Sequence, residues 1–186
     1  MASFVVLLRA VNVGGTTLSM ARWKEVLHGA GLSARTLGAA GSAVVDAPDR
    51  TTSARLEAMV ESGLAREAGL VTDAFARGPE EWAGIVRANP FPAAAQEDPA
   101  HLVVTTLKDQ PKPAAWPALE RAIQGRERVA PGIRCAYVVY PDGIGRSKLT
   151  PAVIERHLGF RGTSRNWNTV LALRDLVAQP DPTRRT

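Results

Sequence analysis

Two short stretches in the second half of the chain combine cations, hydroxyls and amides directly before an apolar helical pattern. The first is GIGRSKLTP, residues 143–151, and the second is RGTSRNWNT, residues 161–169. Because a helix N-terminus carries unpaired N–H groups and the positive end of the helix dipole, cations and hydroxyls beside it are typical of a phosphate or carboxylate site. The candidate anion site therefore comprises the following side chains: Arg146, Ser147, Lys148, Arg165, Asn166 and Asn168.

This anion-site hypothesis requires the two stretches to converge in space. In it, Lys148 and Arg165 supply positive charge, while Ser147 and backbone N–H groups donate hydrogen bonds to the ligand. An alternative needs no ligand: Ser164 or Asn166 caps the following helix, and the remaining polar groups tie loops to backbone carbonyls. The sequence leaves both interpretations open.

A third candidate segment, RAVNVGG, follows the first predicted strand and occupies residues 9–15. Backbone N–H groups at a strand-to-helix turn can hold an anion, so Arg9, Asn12, Gly14 and Gly15 are candidates for the opposite wall of the site. The segment lacks both the phosphate-loop spacing and the dinucleotide-binding pattern. A glycine pair in such a turn also serves backbone conformations with positive φ, which is the structural alternative.

Catalytic and metal-binding patterns are not recognisable. His28, His101 and His157 lie far apart, without metal-ligand spacing to one another or to Cys135. No nucleophile, base and orienting group can be combined from the sequence. We therefore predict no metal and no cofactor, and we favour a binding protein over an enzyme.

The composition is that of a globular protein. The chain has 186 residues, of which 45% are hydrophobic and 22% are charged. No stretch approaches the roughly 20 apolar residues that a bilayer span needs. The apolar run from Phe4 to Leu8 lacks a basic leader and is interrupted by Arg9, so it predicts a buried strand and not a signal peptide. With a single cysteine, these features predict a cytoplasmic protein without membrane contact.

The net charge of +5 comes entirely from the second half of the chain. Residues 1–92 carry nine Lys or Arg and nine Asp or Glu, whereas residues 93–186 carry fourteen and nine. The predicted partner is therefore a phosphate-bearing small molecule bound by the second half. Nucleic-acid binding through the same surface is the alternative, weakened by the 5% aromatic content, since single strands are held by stacking on aromatic side chains. A purely structural or homo-oligomeric role is the third possibility, and the oligomeric state stays open.

Apolar periodicity predicts an α+β fold made of two ferredoxin-like (α/β-plait) subdomains with antiparallel sheets and extra C-terminal helices. In the first half, the predicted strands are 4–10, 34–38, 43–47 and 70–76, and the predicted helices are 20–30, 52–68 and one from Pro79. In the second half, the predicted strands are 101–108, 127–130 and 133–140, and the predicted helices are 114–124, 151–158 and 166–178. The second half thus repeats the β-α-β-β-α-β order less completely. The predicted boundaries are 1–90, a proline-containing linker at 91–100, 101–179, and a tail at 180–186.

Five segments together resemble the bacterial family of domain of unknown function 1697 (DUF1697). They are residues 9–15, Met20-Ala21, Asn89-Pro90-Phe91, residues 143–149 and residues 163–170. The resemblance implies two α/β-plait subdomains and implies no activity. The chain departs from the family pattern in two places: Ala10 stands where members typically have glycine, and Ala39-Ala40-Gly41-Ser42 stands where they tend to have Gln-Ser-Gly-Asn. We therefore place no site residue at 39–42.

Overall fold

The computed structural model describes residues 1–12 and 17–179. The strands are β1 Ala2–Leu8, β2 Ser33–Leu37, β3 Ser42–Ala47, β4 Ala74–Arg77, β5 Leu102–Leu107, β6 Arg128–Gly132, β7 Cys135–Val139 and β8 Gly162–Asn166. The α-helices are α1 Met20–Gly29, α2 Ser53–Ala68, α3 Pro79–Arg87, α4 Pro92–Glu97, α5 Ala115–Arg121, α6 Pro151–Leu158 and α7 Trp167–Ala178. The described residues divide into two compact units: the first contains those within 1–83 and 172–179, and the second contains Gly84–Leu171.

The first unit is an α/β-plait. Its sheet has the order β2-β3-β1-β4, and every neighbouring pair is antiparallel. Helices α1 and α2 cover one face of this sheet, where their apolar side chains are fully or almost fully buried: Trp23, Val26, Leu27, Leu56, Val60 and Leu64. Ser19 and Thr52 start these helices by accepting hydrogen bonds from the N–H groups of Arg22 and Arg55.

The second unit repeats the same topology, with the sheet order β6-β7-β5-β8. Helices α5 and α6 cover one face of it around a core that includes Val103, Leu107, Trp116, Leu119, Val138, Ile154 and Leu158. The predicted α+β fold of two ferredoxin-like subdomains is thereby confirmed, and the second half is as complete as the first.

Strand β8, which completes the second unit, was not predicted from the sequence. It lies at an edge of the sheet and pairs antiparallel with β5, with Arg165 opposite Val104. Its sequence, GTSRN, contains no large apolar residue, although Thr163 and Arg165 are buried. Because the strand signal in a sequence is apolar alternation, a strand that buries polar side chains shows none.

Three further elements differ from the prediction at their ends. β1 ends at Leu8 because Ala10 has a φ of 50°, outside the extended region. β4 begins at Ala74 and excludes Val71, which is 91% exposed. The segment 91–100, interpreted as a linker, contains helix α4, which has a proline in its first turn, where a proline is tolerated. Within residues 1–12 and 17–179, no helix has both the length and the apolar character needed to cross a bilayer.

Candidate functional site

The first candidate stretch forms the connection between β7 and α6, residues 140–150, which we call the β7–α6 loop. Both of its ends are fixed from within the second unit. The buried Tyr140 donates a hydrogen bond from its hydroxyl to the carbonyl oxygen of Leu149, 3.0 Å away. Gly143, with a φ of 83°, turns the chain and donates its N–H to the Tyr140 carbonyl at 2.9 Å. Leu149 packs into the core between the sheet and α5 and α6, so the loop is ordered without a ligand.

The Ser147 hydroxyl makes two hydrogen bonds within the protein that hold the loop in place. Its hydroxyl donates to a carboxylate oxygen of Glu127, and its Oγ accepts the N–H of Leu149 at 2.9 Å. The hydrogen bond from Ser147, together with backbone N–H groups, holds the pKa of the Glu127 carboxyl below its usual range. The sequence hypothesis had Ser147 donating to a ligand, but in the structure its proton goes to Glu127 because the carboxylate is a strong, permanent acceptor.

Arg146 and Lys148 of the same loop are exposed. In the part of the chain that the structure describes, neither makes an ion pair or a side-chain hydrogen bond. The nearby acid Asp142 is instead held by Arg126, whose Nε lies 3.1 Å from Oδ2. The hydrogen bond from Arg126 is the main reason that the pKa of Asp142 is lowered, and Arg146 adds a smaller electrostatic contribution. The positive charges of Arg146 and Lys148 are therefore available to an external anion.

An aspartate–histidine pair lies beside the β7–α6 loop, and the sequence analysis missed it. The Nδ1 of His101 is 2.6 Å from Oδ2 of Asp98, within the turn that precedes β5. The His101 Nε2 lies 3.6 Å from the position that a Cβ on Gly143 would occupy. The signal available in the sequence was the i, i+3 spacing of an acid and a histidine around Pro99.

Arg165 of the second candidate stretch is only 9% exposed. Its Nη1 donates to Thr163 Oγ1 at 3.0 Å and to the Ser164 carbonyl at 2.8 Å. Desolvation by burial lowers the pKa of its guanidinium to about 10. Arg165 is thus a cation inside the protein and not one presented to solvent.

The structure does not place Arg165 and Lys148 in one shared binding site. Arg165 pairs with Val104 on β5, whereas the neighbouring Val103 contributes to the core against α5 and α6. Because side chains alternate along a strand, Arg165 lies on the sheet face opposite that core. Leu149, next to Lys148, packs into that core, and Lys148 itself is exposed. Of the predicted six-residue site, the buried Arg165 therefore lies on the sheet face opposite the core that Leu149 enters, whereas Lys148 is exposed on the β7–α6 loop.

Asn166 of the second stretch supports the capping interpretation. Asn166 Oδ1 accepts the N–H of Thr169 at 3.0 Å, which is an N-cap bond for α7. Asn168 is exposed within the first turn of α7. The α6 N-terminus is capped in the same way by Thr150, which accepts the N–H of Val153 at 3.4 Å. Both helix starts that the sequence offered to an anion are therefore capped by their own side chains.

Asn12 of the third stretch is a structural tie in the first unit. It has a φ of 59°, and its Nδ2 donates to the carbonyls of Leu18 at 3.0 Å and Ala39 at 2.6 Å. Its Oδ1 accepts the N–H of Leu18 at 2.8 Å. The amide therefore connects the end of β1 to the β2–β3 turn, and its hydrogen-bonding capacity is used within the protein.

Arg9 also has backbone partners in the first unit. Its N–H donates to the Asp73 carbonyl at 3.0 Å, and its carbonyl accepts the Thr72 hydroxyl at 2.6 Å. Gly14 and Gly15 lie outside the described residues. Across residues 1–12 and 17–179, no group of three or more His, Cys, Asp or Glu side chains is arranged to hold a metal ion.

The fold and the loop define a class of protein, namely tandem α/β-plait proteins with two four-stranded antiparallel sheets. The family model for the protein of unknown function DUF1697 matches residues 1–137, and the chain belongs to this family. The chain is also similar to a solved structure, that of the conserved bacterial protein SP0830 from Streptococcus pneumoniae, with a TM-score of 0.74. That similarity covers 96% of this chain and 99% of the other at 16% identity, so it shows the shared fold. No curated protein sequence matches the chain.

Proposed function

We propose that this protein binds a phosphate-bearing anion at the β7–α6 loop, through the side chains of Arg146 and Lys148. One observation carries the proposal: the loop is fixed by internal hydrogen bonds, yet its two cations are exposed and make no ion pair within the described residues. A loop that is ordered before binding loses little conformational entropy when it receives a ligand. A guanidinium can hold two phosphate oxygens at once, and an ammonium adds a compact point charge.

His101 and Glu127 shape this site from its two sides. The His101 imidazole, held by Asp98, lies beside Gly143 and forms one side of the site. The Glu127 carboxylate accepts the Ser147 hydroxyl and thereby helps to hold the loop in place. Its negative charge also repels an approaching anion. The balance of charges favours a single phosphate or a small phosphorylated molecule over a polyanion.

The proposal is tested by thermal unfolding of the full chain with inorganic phosphate, pyrophosphate and sugar phosphates. A ligand that binds the folded state raises the stability in proportion to the logarithm of its concentration above its Kd. We expect a rise in Tm for the wild-type chain that is reduced in Arg146→Ala and in Lys148→Ala. Lys112→Ala is the matched control, because it removes an exposed lysine from another loop of the same unit.

Two outcomes would contradict the proposal. One is a wild-type Tm that no phosphate compound raises. The other is a rise of equal size in Lys148→Ala and in the wild-type chain. Binding of oligonucleotides with a steep salt dependence, in the absence of any effect of small phosphates, would assign the cations to nucleic-acid backbone contacts instead.

A further inference from the structure

The edges of the two sheets differ in how their outward backbone groups are satisfied. In an antiparallel sheet, alternate residues of an edge strand direct N–H and C=O towards the neighbouring strand, and the others direct them outward. On β4, the outward N–H groups of Ala74 and Ala76 donate to Glu61 at 2.9 Å and Glu57 at 2.8 Å, both on α2. This edge is therefore closed by carboxylates of its own unit.

The second unit protects its edges as well. On β8, the N–H of Gly162 donates to Glu155 Oε1 of α6 at 2.9 Å, so a helix carboxylate again accepts an outward N–H of an edge strand. On β6, the register places Pro131 between two residues that bond to β7, so it faces outward. A proline at that position has no N–H to offer to another strand.

Strand β2 is the contrasting case. The bond from the Leu8 N–H to the Gly41 carbonyl, 2.8 Å long, fixes which residues of β3 face β1 and which face β2. By the same alternation along the β2–β3 register, Ala34 and Thr36 direct their N–H and C=O groups outward. Nothing in residues 1–12 or 17–179 hydrogen-bonds to these outward groups.

The one charged side chain of β2 does not protect this edge. Arg35 Nη1 donates to the carbonyl of Leu176 in the last turn of α7, 3.0 Å away, within the first unit. The guanidinium is therefore turned across the sheet, and β2 has neither a lysine, a proline nor a covering carboxylate at its edge. Two donors and two acceptors remain open to another strand.

A groove of about 700 Å³ lies beside this edge, between β2 and α1. Among its lining residues are Ala34 of β2 and three exposed side chains of α1, Lys24, Glu25 and His28. The groove thus carries charges of both signs on one helix. A surface with charges of both signs can be complementary to itself, because a suitably placed two-fold axis brings the acid of one copy near the bases of the other.

We propose that β2 pairs antiparallel with β2 of a second copy of this chain, which joins two four-stranded sheets into a continuous eight-stranded sheet. A register with Ala34 opposite Ala34 of the other copy places Arg35 opposite Ser33 and avoids two facing arginines. In this register the N–H and C=O of Ala34 pair with those of Ala34 in the other copy, as in other cases of strand addition at a sheet edge. The Thr36 N–H donates to the Leu32 carbonyl of the other copy, while the Leu32 N–H stays bonded to the Leu27 carbonyl of its own copy. The two α1 helices run antiparallel beside the axis, and Glu25 of each copy faces Lys24 and His28 of the other.

The test is sedimentation equilibrium of the full chain over a concentration series that reaches about 200 µM, since a short strand pairing belongs among weak interfaces. The wild-type chain is expected to show a monomer–dimer equilibrium. Thr36→Pro removes an outward N–H without removing a bond to β3, and it should raise the dimer Kd at least about tenfold, because each copy loses the donor.

Glu25→Lys provides a second variant that leaves the strand untouched. Glu25 is exposed, and its ion pair with Arg22 lies at the surface, so the fold does not depend on it. The substitution should also weaken the dimer, whereas the matched control Glu120→Lys, on the exposed side of α5, should leave the Kd unchanged. A wild-type chain that stays monomeric throughout the series overturns the proposal. So does a dimer whose Kd responds to neither Thr36→Pro nor Glu25→Lys.

Discussion

Replacing Ser147 by alanine should loosen the β7–α6 loop, because this hydroxyl makes two of the hydrogen bonds that fix it. The bond to the Glu127 carboxylate is charge-assisted and contributes about 1.5–3 kcal/mol, and the bond from the Leu149 N–H contributes about 0.5–1.5 kcal/mol. Glu127 is half-buried, so water replaces part of the lost interaction in the variant. We therefore expect Ser147→Ala to lower the unfolding free energy by about 1–3 kcal/mol.

A double-mutant cycle with Glu127→Gln isolates the contribution that the Glu127 charge makes to the bond between the two side chains. Glutamine keeps an acceptor for the hydroxyl but removes the charge, so the coupling free energy between the two substitutions should be about 1–2 kcal/mol at pH 7. Urea denaturation of the wild-type chain, both single variants and the double variant measures it, with tryptophan fluorescence as the signal. Strictly additive losses would refute the reasoning, since they would mean that the negative charge of Glu127 does not strengthen its hydrogen bond with Ser147 in solution.

The pKa of Glu127 predicts how the stabilisation by the Ser147–Glu127 hydrogen bond changes with pH. The pKa of Glu127 is lowered in the folded state, so the folded protein binds this proton less readily than the unfolded chain does. Its stabilising contribution is complete above the ordinary pKa of a glutamate and is lost as the pH falls through the lowered folded-state value. The stability difference between the wild-type chain and Ser147→Ala should therefore shrink in acid, and a difference that grows in acid would contradict the assignment.

Three other substitutions test the fold, two in the first unit and one in the second. Arg77→Met should lower the unfolding free energy by about 3–5 kcal/mol in urea denaturation, because it leaves the buried Glu57 carboxylate, 3.5 Å from Arg77 Nη1, without its cation; a loss below 1 kcal/mol would refute this. Asn166→Ala should cost about 0.5–2 kcal/mol in the same assay through the lost α7 cap, and no phosphate compound should reverse that cost. Ala10→Gly should raise the unfolding free energy by up to about 1 kcal/mol, because glycine adopts the φ of 50° without strain; a lower thermal midpoint would argue against strain at this position.

The elements that the sequence predicted well are those whose apolar residues repeat with a single period. Helix α6 runs from Pro151 to Leu158 as predicted, since Thr150, Pro151 and Gly159 mark its ends by capping and backbone geometry that the residue types dictate. β8 was missed because its buried residues are polar. Topology offered a second signal: a β-α-β-β-α-β repeat requires a strand after α6, and residues 159–166 were the available segment.

The candidate site could be predicted only in part, because residue type does not tell which way a side chain points. Arg146 and Arg165 look alike in the sequence, as each is an arginine in a polar run before a helix. One is exposed on a loop, and the other is buried on a strand, so the difference depends on the pairing of β8 with β5. The role of Ser147 likewise depends on Glu127, which lies 20 residues away in the chain and was not part of the motif.

Equivalent side-chain hydrogen bonds occur in both units. Comparing the two units therefore helps to distinguish residues that the fold needs from residues that serve a function. Gln110 follows the first strand of the second unit and donates Nε2 to the Gly132 carbonyl at 3.3 Å, as Asn12 donates to Ala39 in the first unit. Glu155 satisfies an edge strand as Glu61 does. Features that both plaits share are explained by what the plait needs, and they give no reason to infer a ligand.

The β7–α6 loop, in contrast, has no counterpart of the same length in the first unit. The connection between β3 and α2 in the first unit is five residues long, 48–52, whereas the corresponding connection in the second unit is eleven residues long, 140–150. A plait can thus be closed without Arg146 and Lys148. Between Tyr140 and Leu149, which both belong to the core, the additional chain adds exposed cations and no further core residue. The β7–α6 loop is thus longer than the fold requires, it is ordered, and its cations make no ion pair within the described residues. A binding site is expected in such a loop.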